Sequence, residues 1–336
     1  MREPDFWWRR NSVWARLLSP LGAIYGVISA WRMAQDGIDA QVPVICVGNY
    51  HVGGAGKTPT AMALVKLLRG MGETPVVLTR GYGGRLTGPV VVEPSRHDAR
   101  EVGDEPLLIA RHAPVVVAKD RAAGAQAARE RGASVIVMDD GFQNPAVKKD
   151  LSLIVVDGAR GLGNGLVFPA GPLRAPLAPQ IARTDALFVV GDGHAADNLA
   201  GEVRAKGGDV LRAALIPDAA AVEALRGKPL LAFAGIGDPE RFFAGLRNAG
   251  LDVAATRVFA DHHAFTSDEI AGLIADARRV GQTPVTTEKD FVRVRGLGID
   301  EASIHTFPVA MTFSNERALA DLLRGALTRA RARRSG

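Results

Sequence analysis

A glycine-rich run, Val52-Gly-Gly-Ala-Gly-Lys-Thr58, stands between an apolar segment, Val42–Val47, and a stretch of helical composition, Thr60–Arg69. Strand, glycine turn, Gly-Lys-Thr and helix in that order build a phosphate-binding loop. The glycines let successive backbone N–H groups close round an anion, and the helix N-terminus adds positive partial charge. Gly53, Gly54, Ala55, Gly56, Lys57 and Thr58 are therefore the expected nucleotide cradle. Lys57 is expected on the β- and γ-phosphates and the Thr58 hydroxyl on Mg2+. The loop departs from the usual spacing at its start. His51 stands where the first glycine normally does, and Gly53 and Gly54 are paired instead. Variant loops of a related NTPase branch carry Lys before such a pair; here that place is Val52.

The rest of the chain fits a sheet built round this unit. Apolar runs at 42–47, 75–79, 90–93, 115–118, 135–139, 153–157 and 187–190 alternate with helical stretches. Continuous Val/Ile runs mark strands buried on both faces, as in a parallel sheet with crossover helices. A second series of strands and helices starts near Lys228. The expected organisation is an N-terminal apolar membrane-associated helix at 1–32, a phosphate-loop NTPase core with a mostly parallel sheet at 33–225, and a smaller C-terminal α/β lobe at 226–336.

Composition narrows the partners. The chain is 47% hydrophobic and 23% charged, enough apolar material for a sizeable core. Cys46 is the only cysteine, which excludes an intrachain disulfide and fits a reducing compartment. A net charge of +5 favours anionic partners: nucleotide, phosphorylated substrate or anionic membrane. The basic C-terminal tail, Arg324 to Arg334, reads as a solvated helix end, and nothing resembles a nucleic-acid motif. All four tryptophans fall within residues 1–32, and Leu17–Trp31 is apolar except for Ser and Gly, flanked by Arg16 and Arg32. Trp and Arg flanks of this kind suit a membrane interface; a buried N-terminal helix is the competing reading.

Several acidic and basic groups stand at strand ends. Val135–Asp139 ends in Asp139-Asp140, where phosphate-loop enzymes place the carboxylate that supports Mg2+. Asp104-Glu105 precedes a helix, so the pair reads either as an N-cap or as a proton acceptor or metal ligand. Asp261-His262-His263 follows another strand. It reads as a surface loop, or as a histidine held in one tautomer by a carboxylate. Arg80, in Arg80-Gly-Tyr-Gly-Gly-Arg85, and Arg174 are candidate anion contacts. Thr287-Glu-Lys-Asp290 looks like a guanine-reading motif, but its Lys and Asp are adjacent, so guanine selectivity is not expected.

Taken in order, these segments resemble the tetraacyldisaccharide 4'-kinase family. They are Val47-Gly-Asn49, the loop to Pro59, Arg80–Gly84, Gly103–Pro106, Asp139-Asp-Gly-Phe-Gln143, Pro169–Arg174, Phe259–His263 and Thr286–Asp290. The resemblance implies transfer of the γ-phosphate of ATP to the 4'-hydroxyl of a tetraacylated glucosamine disaccharide 1-phosphate, at the cytosolic face of the bacterial inner membrane. It implies Asp104 as base with His262 as its partner, and Lys57 on the phosphates. Thr58, Asp139, Asp140 and Glu105 are expected near the metal. Arg80, Tyr82, Gln143 and Arg174 are expected on the substrate side. The implied ligands are ATP, Mg2+ and the lipid at an anionic membrane surface, without nucleic acid. One departure stands out: Ala175 follows Gly-Pro-Leu-Arg174 where the family commonly has Glu. The rival from another class is a membrane-recruited nucleotide-switch ATPase, which would release phosphate without phosphorylating a lipid.

Overall fold

The computed structural model describes residues 3–9 and 11–335. Strands β1 (Val44–Gly48), β2 (Pro75–Thr79), β3 (Val90–Val91), β4 (Val115–Val117), β5 (Val135–Asp139), β6 (Leu151–Asp157), β7 (Ala186–Val190) and β8 (Asp209–Pro217) come first. They are followed by β9 (Leu230–Ala234), β10 (Val253–Val258), β11 (Thr283–Thr286), β12 (His305–Thr306) and β13 (Val309–Phe313). The large sheet runs β13-β8-β7-β6-β1-β5-β2-β4-β3, and β10-β9-β11-β12 form a smaller one. All of the ladders are parallel except those of β3 with β4 and β13 with β8, at the two edges. Every residue of β1, β2, β5, β6 and β7 is buried, as their unbroken apolar runs predict.

Helices cover both faces. Helix Lys57–Gly70 packs Ala61, Leu64 and Leu68 on one face of the large sheet, beside Leu319, Leu323 and Leu327 of the terminal helix Glu316–Ser335. The opposite face carries Ala125, Ala128, Leu199 and Val203 from two other helices. In the small sheet, Phe242, Phe243 and Leu246 pack on one side and Ile270, Leu273 and Ile274 on the other. Burying a side chain of this size contributes roughly 1.5–3 kcal/mol.

Three features depart from the sequence reading. First, β8 and β13 carry polar residues between apolar ones, and their burial alternates rather than running continuously. They pair with each other across about a hundred residues of sequence, Val309 opposite Pro217 and Phe313 opposite Ala213. The chain after Thr306 therefore returns to the large sheet, and residues 226–336 do not all lie in the small one. Second, the C-terminal arginines are more than a solvated end: Arg331 and Arg333 are exposed yet paired with acids, and Arg334 is mostly buried. Arg333 pairs with Asp150 at 2.6 Å, Arg334 with Asp150 and Asp39 at 2.9 and 2.8 Å, and Arg331 with Glu73 at 2.6 Å. Asp150 also accepts the Val44 N–H at 2.8 Å, so the tail is tied to the start of β1.

Third, the N-terminal segment is two pieces. An arm at 3–9, with a 3-10 turn at Asp5–Trp8, docks on the core: Trp7 is buried and its Nε1 donates to Pro169 O at 3.0 Å. Helix Val13–Met33 follows, capped by Ser12. Its buried positions are Ala15, Gly22, Gly26 and Met33, where small residues let it lie against Val167 and Pro176. Trp14, Leu17, Leu21, Ile24, Val27, Ile28 and Trp31 are all more than half exposed. Twenty-one residues reach about 30 Å, comparable to a bilayer's hydrocarbon thickness. Arg2 and Arg10 lie outside the described residues.

Candidate active site

β1 runs straight into the glycine loop, and the helix begins at Lys57. Gly53 and Gly56 have φ of +113° and +96°, conformations that L side chains rarely adopt, so the loop needs glycine at both. Among the described residues, the N–H groups of Gly53, Gly54 and Ala55 have no hydrogen-bond partner in the protein. Asn49 Nδ2 fixes the turn by donating to Gly53 O at 3.0 Å, and Lys57 Nζ reaches the same oxygen at 3.4 Å.

Asp139 ends β5, beside Val47 of β1 in the ladder. Both its carboxylate oxygens are buried, and neither has a hydrogen-bond partner among the described residues. Burial, with Glu105 and Asp140 nearby, pushes its carboxyl well above the ordinary range, only partly offset by Lys57 and Arg121. Asp140 meets the opposite fate. Arg174 donates to both of its oxygens, at 2.6 and 3.1 Å, and Lys57 stands 3.7 Å away. Burial opposes its charge, yet these cations hold Asp140 well below the usual carboxylate range.

The second acidic doublet lies on helix Asp104–Ala110. Gly103 is the N-cap of that helix and Asp104 its first residue, so the N-cap reading of Asp104 does not hold. Oδ1 accepts the Glu105 N–H at 2.9 Å, while Oδ2 is 2.9 Å from His262 Nδ1. Burial works against the carboxylate, but the His262 hydrogen bond and the Lys289, His262 and Arg293 charges hold it below the usual range. An ionised Asp104 can only accept, so Nδ1 carries the proton and Nε2 is the basic nitrogen. His262 sits at φ +56° with its N–H on Gly235 O, and its Nε2 lies 3.8 Å from Asp261 Oδ1. Its neighbour His263 turns instead to Glu269, at 3.1 Å. Glu105 is paired with Lys289 at 2.9 Å. Burial disfavours that ammonium, but Glu105 and Asp104 raise its pKa.

The substrate-side expectations separate. Arg174 joins the site through Asp140 and through His51 O at 3.1 Å. Tyr82 is largely exposed, its ring 5.1 Å from that of His262. Arg80 is exposed. Gln143 points its amide inward, to Asn49 O at 2.7 Å and Gln180 Oε1 at 2.9 Å. Ala175 is fully buried in the core beside β6, where a glutamate would be an unpaired buried charge. Thr58 is half-buried at the loop's end.

Sequence reasoning missed Arg293 and underused Lys289. Arg293 is almost wholly buried; it donates to His263 O and Gly235 O, pairs with Asp290, and lies 3.4 Å from Asp104 Oδ2. Lys289 and Arg293 are four apart on helix Glu288–Val294, hence on one face, and that face meets helix Asp104–Ala110. The i, i+4 spacing signalled only that the two share a helix face, not what that face meets.

The family profile described as tetraacyldisaccharide-1-P 4'-kinase matches residues 14–328. A tetraacyldisaccharide 4'-kinase of Bradyrhizobium sp. (strain BTAi1 / ATCC BAA-1182) is 61% identical over 336 residues, covering 99% of this chain and 97% of its own. One of Rhodopseudomonas palustris (strain HaA2) is 60% identical over 332 residues, covering 98% of each. An LpxK from Aquifex aeolicus, solved in complex with ATP, superposes with a TM-score of 0.71 at 27% identity, covering 93% of this chain and 99% of its own. The chain belongs to the tetraacyldisaccharide 4'-kinase family.

Proposed function

We infer that, as a member of this family, the chain is an ATP-dependent lipid kinase that phosphorylates the 4'-hydroxyl of a tetraacyldisaccharide 1-phosphate in lipid A assembly. One observation supports the roles of its residues best. An ionised carboxylate–histidine pair, Asp104–His262, is joined across the two sheets to a charge network that reaches the phosphate loop. The unpaired carboxylate Asp139 lies in that network.

Phosphoryl transfer asks mainly for positioning and charge neutralisation. The acceptor oxygen bonds to the γ-phosphorus, the bond to the β–γ bridging oxygen breaks, and ADP leaves. The hydroxyl proton passes to the Asp104–His262 pair, which acts as one base. Lys57 and the free N–H groups of the loop hold the polyphosphate. The residues present fit Mg2+: Asp139 is buried with both oxygens unpaired, and Thr58 ends the loop. Bound there, Mg2+ neutralises charge on the β- and γ-phosphates. Asp140 and Glu105 already have cationic partners, so Asp139 is the better metal ligand of the three. Arg174 orients Asp140, and Tyr82, beside His262, borders the acceptor side.

The exposed apolar face of helix Val13–Met33 supports a second part of the reading, that the kinase works at the cytosolic surface of the inner membrane. Replacing Val27 and Ile28 by Glu leaves the arm untouched and should release the protein from anionic vesicles. Unchanged vesicle binding would remove the helix as the anchor.

Purified protein with γ-labelled ATP, Mg2+ and tetraacyldisaccharide 1-phosphate in micelles should give labelled lipid. Lys57→Ala should abolish the label. Free phosphate with unlabelled lipid, from folded protein, would favour the switch ATPase instead.

A further inference from the structure

The arm at 3–9 is joined to the phosphate loop by charge. Glu3 is mostly buried and lies directly over Gly53: a Cβ there would stand 2.0 Å from Glu3 Oε1. Gly53 is thus glycine for a second reason besides its φ. Glu3 Oε2 binds Arg160 Nη2 at 2.5 Å, and Arg160 also stands 3.8 Å from Asp238 and stacks 3.8 Å over the Trp8 ring. Arg160 belongs to the loop that follows β6, the strand beside β1. It shares the neighbourhood of the phosphate loop, since Lys57, Arg174 and Arg160 all act on His51.

A carboxylate on a loop whose free N–H groups face an incoming polyanion is electrostatically misplaced for tight binding. Here it is retained and occupies a cation that could otherwise meet phosphate. The docked arm also carries a local penalty, because Trp8 Nε1 and His51 Nε2, whose rings meet edge to face, are buried without a partner among the described residues. Each such group typically costs about 1–3 kcal/mol, which favours an arm that can be displaced.

We propose that Glu3 is a built-in counter-charge on the phosphate loop. The arm holds Arg160 in check while the loop is empty and yields when a nucleoside triphosphate enters, freeing Arg160 for the polyphosphate. Arm docking and ATP binding are then antagonistic, and linkage makes the antagonism reciprocal. The inference deepens the kinase reading and rests on it for the nature of the anion.

The test is equilibrium binding of a non-hydrolysable ATP analogue with Mg2+ to the full chain in detergent micelles. Glu3→Gln keeps the shape and removes the charge, so it should tighten binding about three- to ten-fold, the scale of one screened charge at this range. Arg160→Gln should weaken binding. In the double variant the Glu3→Gln gain should shrink below about two-fold, since the freed cation is gone. A purely structural arm predicts unchanged or weaker binding for Glu3→Gln, and either result overturns the proposal. Hydrogen exchange gives an independent readout on the unmodified protein. Residues 3–8 should lose protection when the analogue binds, and equal or greater protection would also overturn it. A wild-type chain that does not bind the analogue would instead sink the kinase reading.

Discussion

Asp104-Glu105 and Asp139-Asp140 are acidic doublets of nearly the same chemistry, and the fold treats their members in opposite ways. In each doublet the second residue is tied to a cation, Glu105 to Lys289 and Asp140 to Arg174 with Lys57 close by. The first residues diverge. Asp104 is held ionised by His262, Lys289 and Arg293, whereas Asp139 is buried with both oxygens unpaired and its carboxyl pushed up. A doublet in sequence therefore says little about function. The cations that the fold brings to each residue decide which carboxylate is held ionised and which is pushed toward its neutral form.

Breaking the first doublet has the largest expected effect. Asp104→Asn should lower kcat about 10²–10⁴-fold, the usual worth of a positioned base, with the KM for ATP little changed. His262→Asn should cost nearly as much, and the double variant no more than the worse single one, because the pair acts as a unit. Steady-state kinetics of the three variants checks this; additive losses would separate the two residues.

Asp139→Asn sharpens the contrast through stability. The folded protein binds a proton at Asp139 more tightly than the unfolded chain does. Without Mg2+, stability should therefore fall as pH rises above the ordinary carboxylate range, and Mg2+ should restore it. The Asn variant should be more stable than the wild type without metal at neutral pH, by about 1–3 kcal/mol, and should lose the Mg2+ response and Asp139's share of the pH slope. Thermal melts at several pH values, with and without Mg2+, would reveal it; a variant that still responds to Mg2+ would place the metal on other ligands.

The smallest effect lies far from either doublet. Arg333→Gln removes one exposed partner of Asp150, which Arg334 still holds, and should change stability by no more than about 0.5 kcal/mol in denaturant titration. A larger loss would mean that the tail clamps the sheet more firmly than its exposure suggests.

The large sheet was legible because β1, β2, β5, β6 and β7 are unbroken apolar runs, and the loop because its glycines are required by backbone geometry. β8 and β13 escaped because the last two strands on this side of the sheet are only partly buried and mix polar with apolar residues, and their pairing is set across the whole second sheet. Trp7 and Trp8 looked like interface anchors by composition, but the arm folds them back onto the core. In the site, the acids were visible and their partners were not. Lys289 reaches Glu105 and Arg293 reaches Asp104 only because the small sheet sets their helix against helix Asp104–Ala110. No local pattern in the sequence encodes that docking.

The most direct test is a single-turnover measurement on Asp104→Asn with saturating ATP and Mg2+, following labelled phosphate onto the 4'-hydroxyl in micelles. The account predicts nucleotide binding within about two-fold of wild type and a transfer step slowed at least about a hundred-fold. Transfer at the wild-type rate from a chain that melts earlier would contradict it, and would leave Asp104 as a structural residue at the helix start and nothing more.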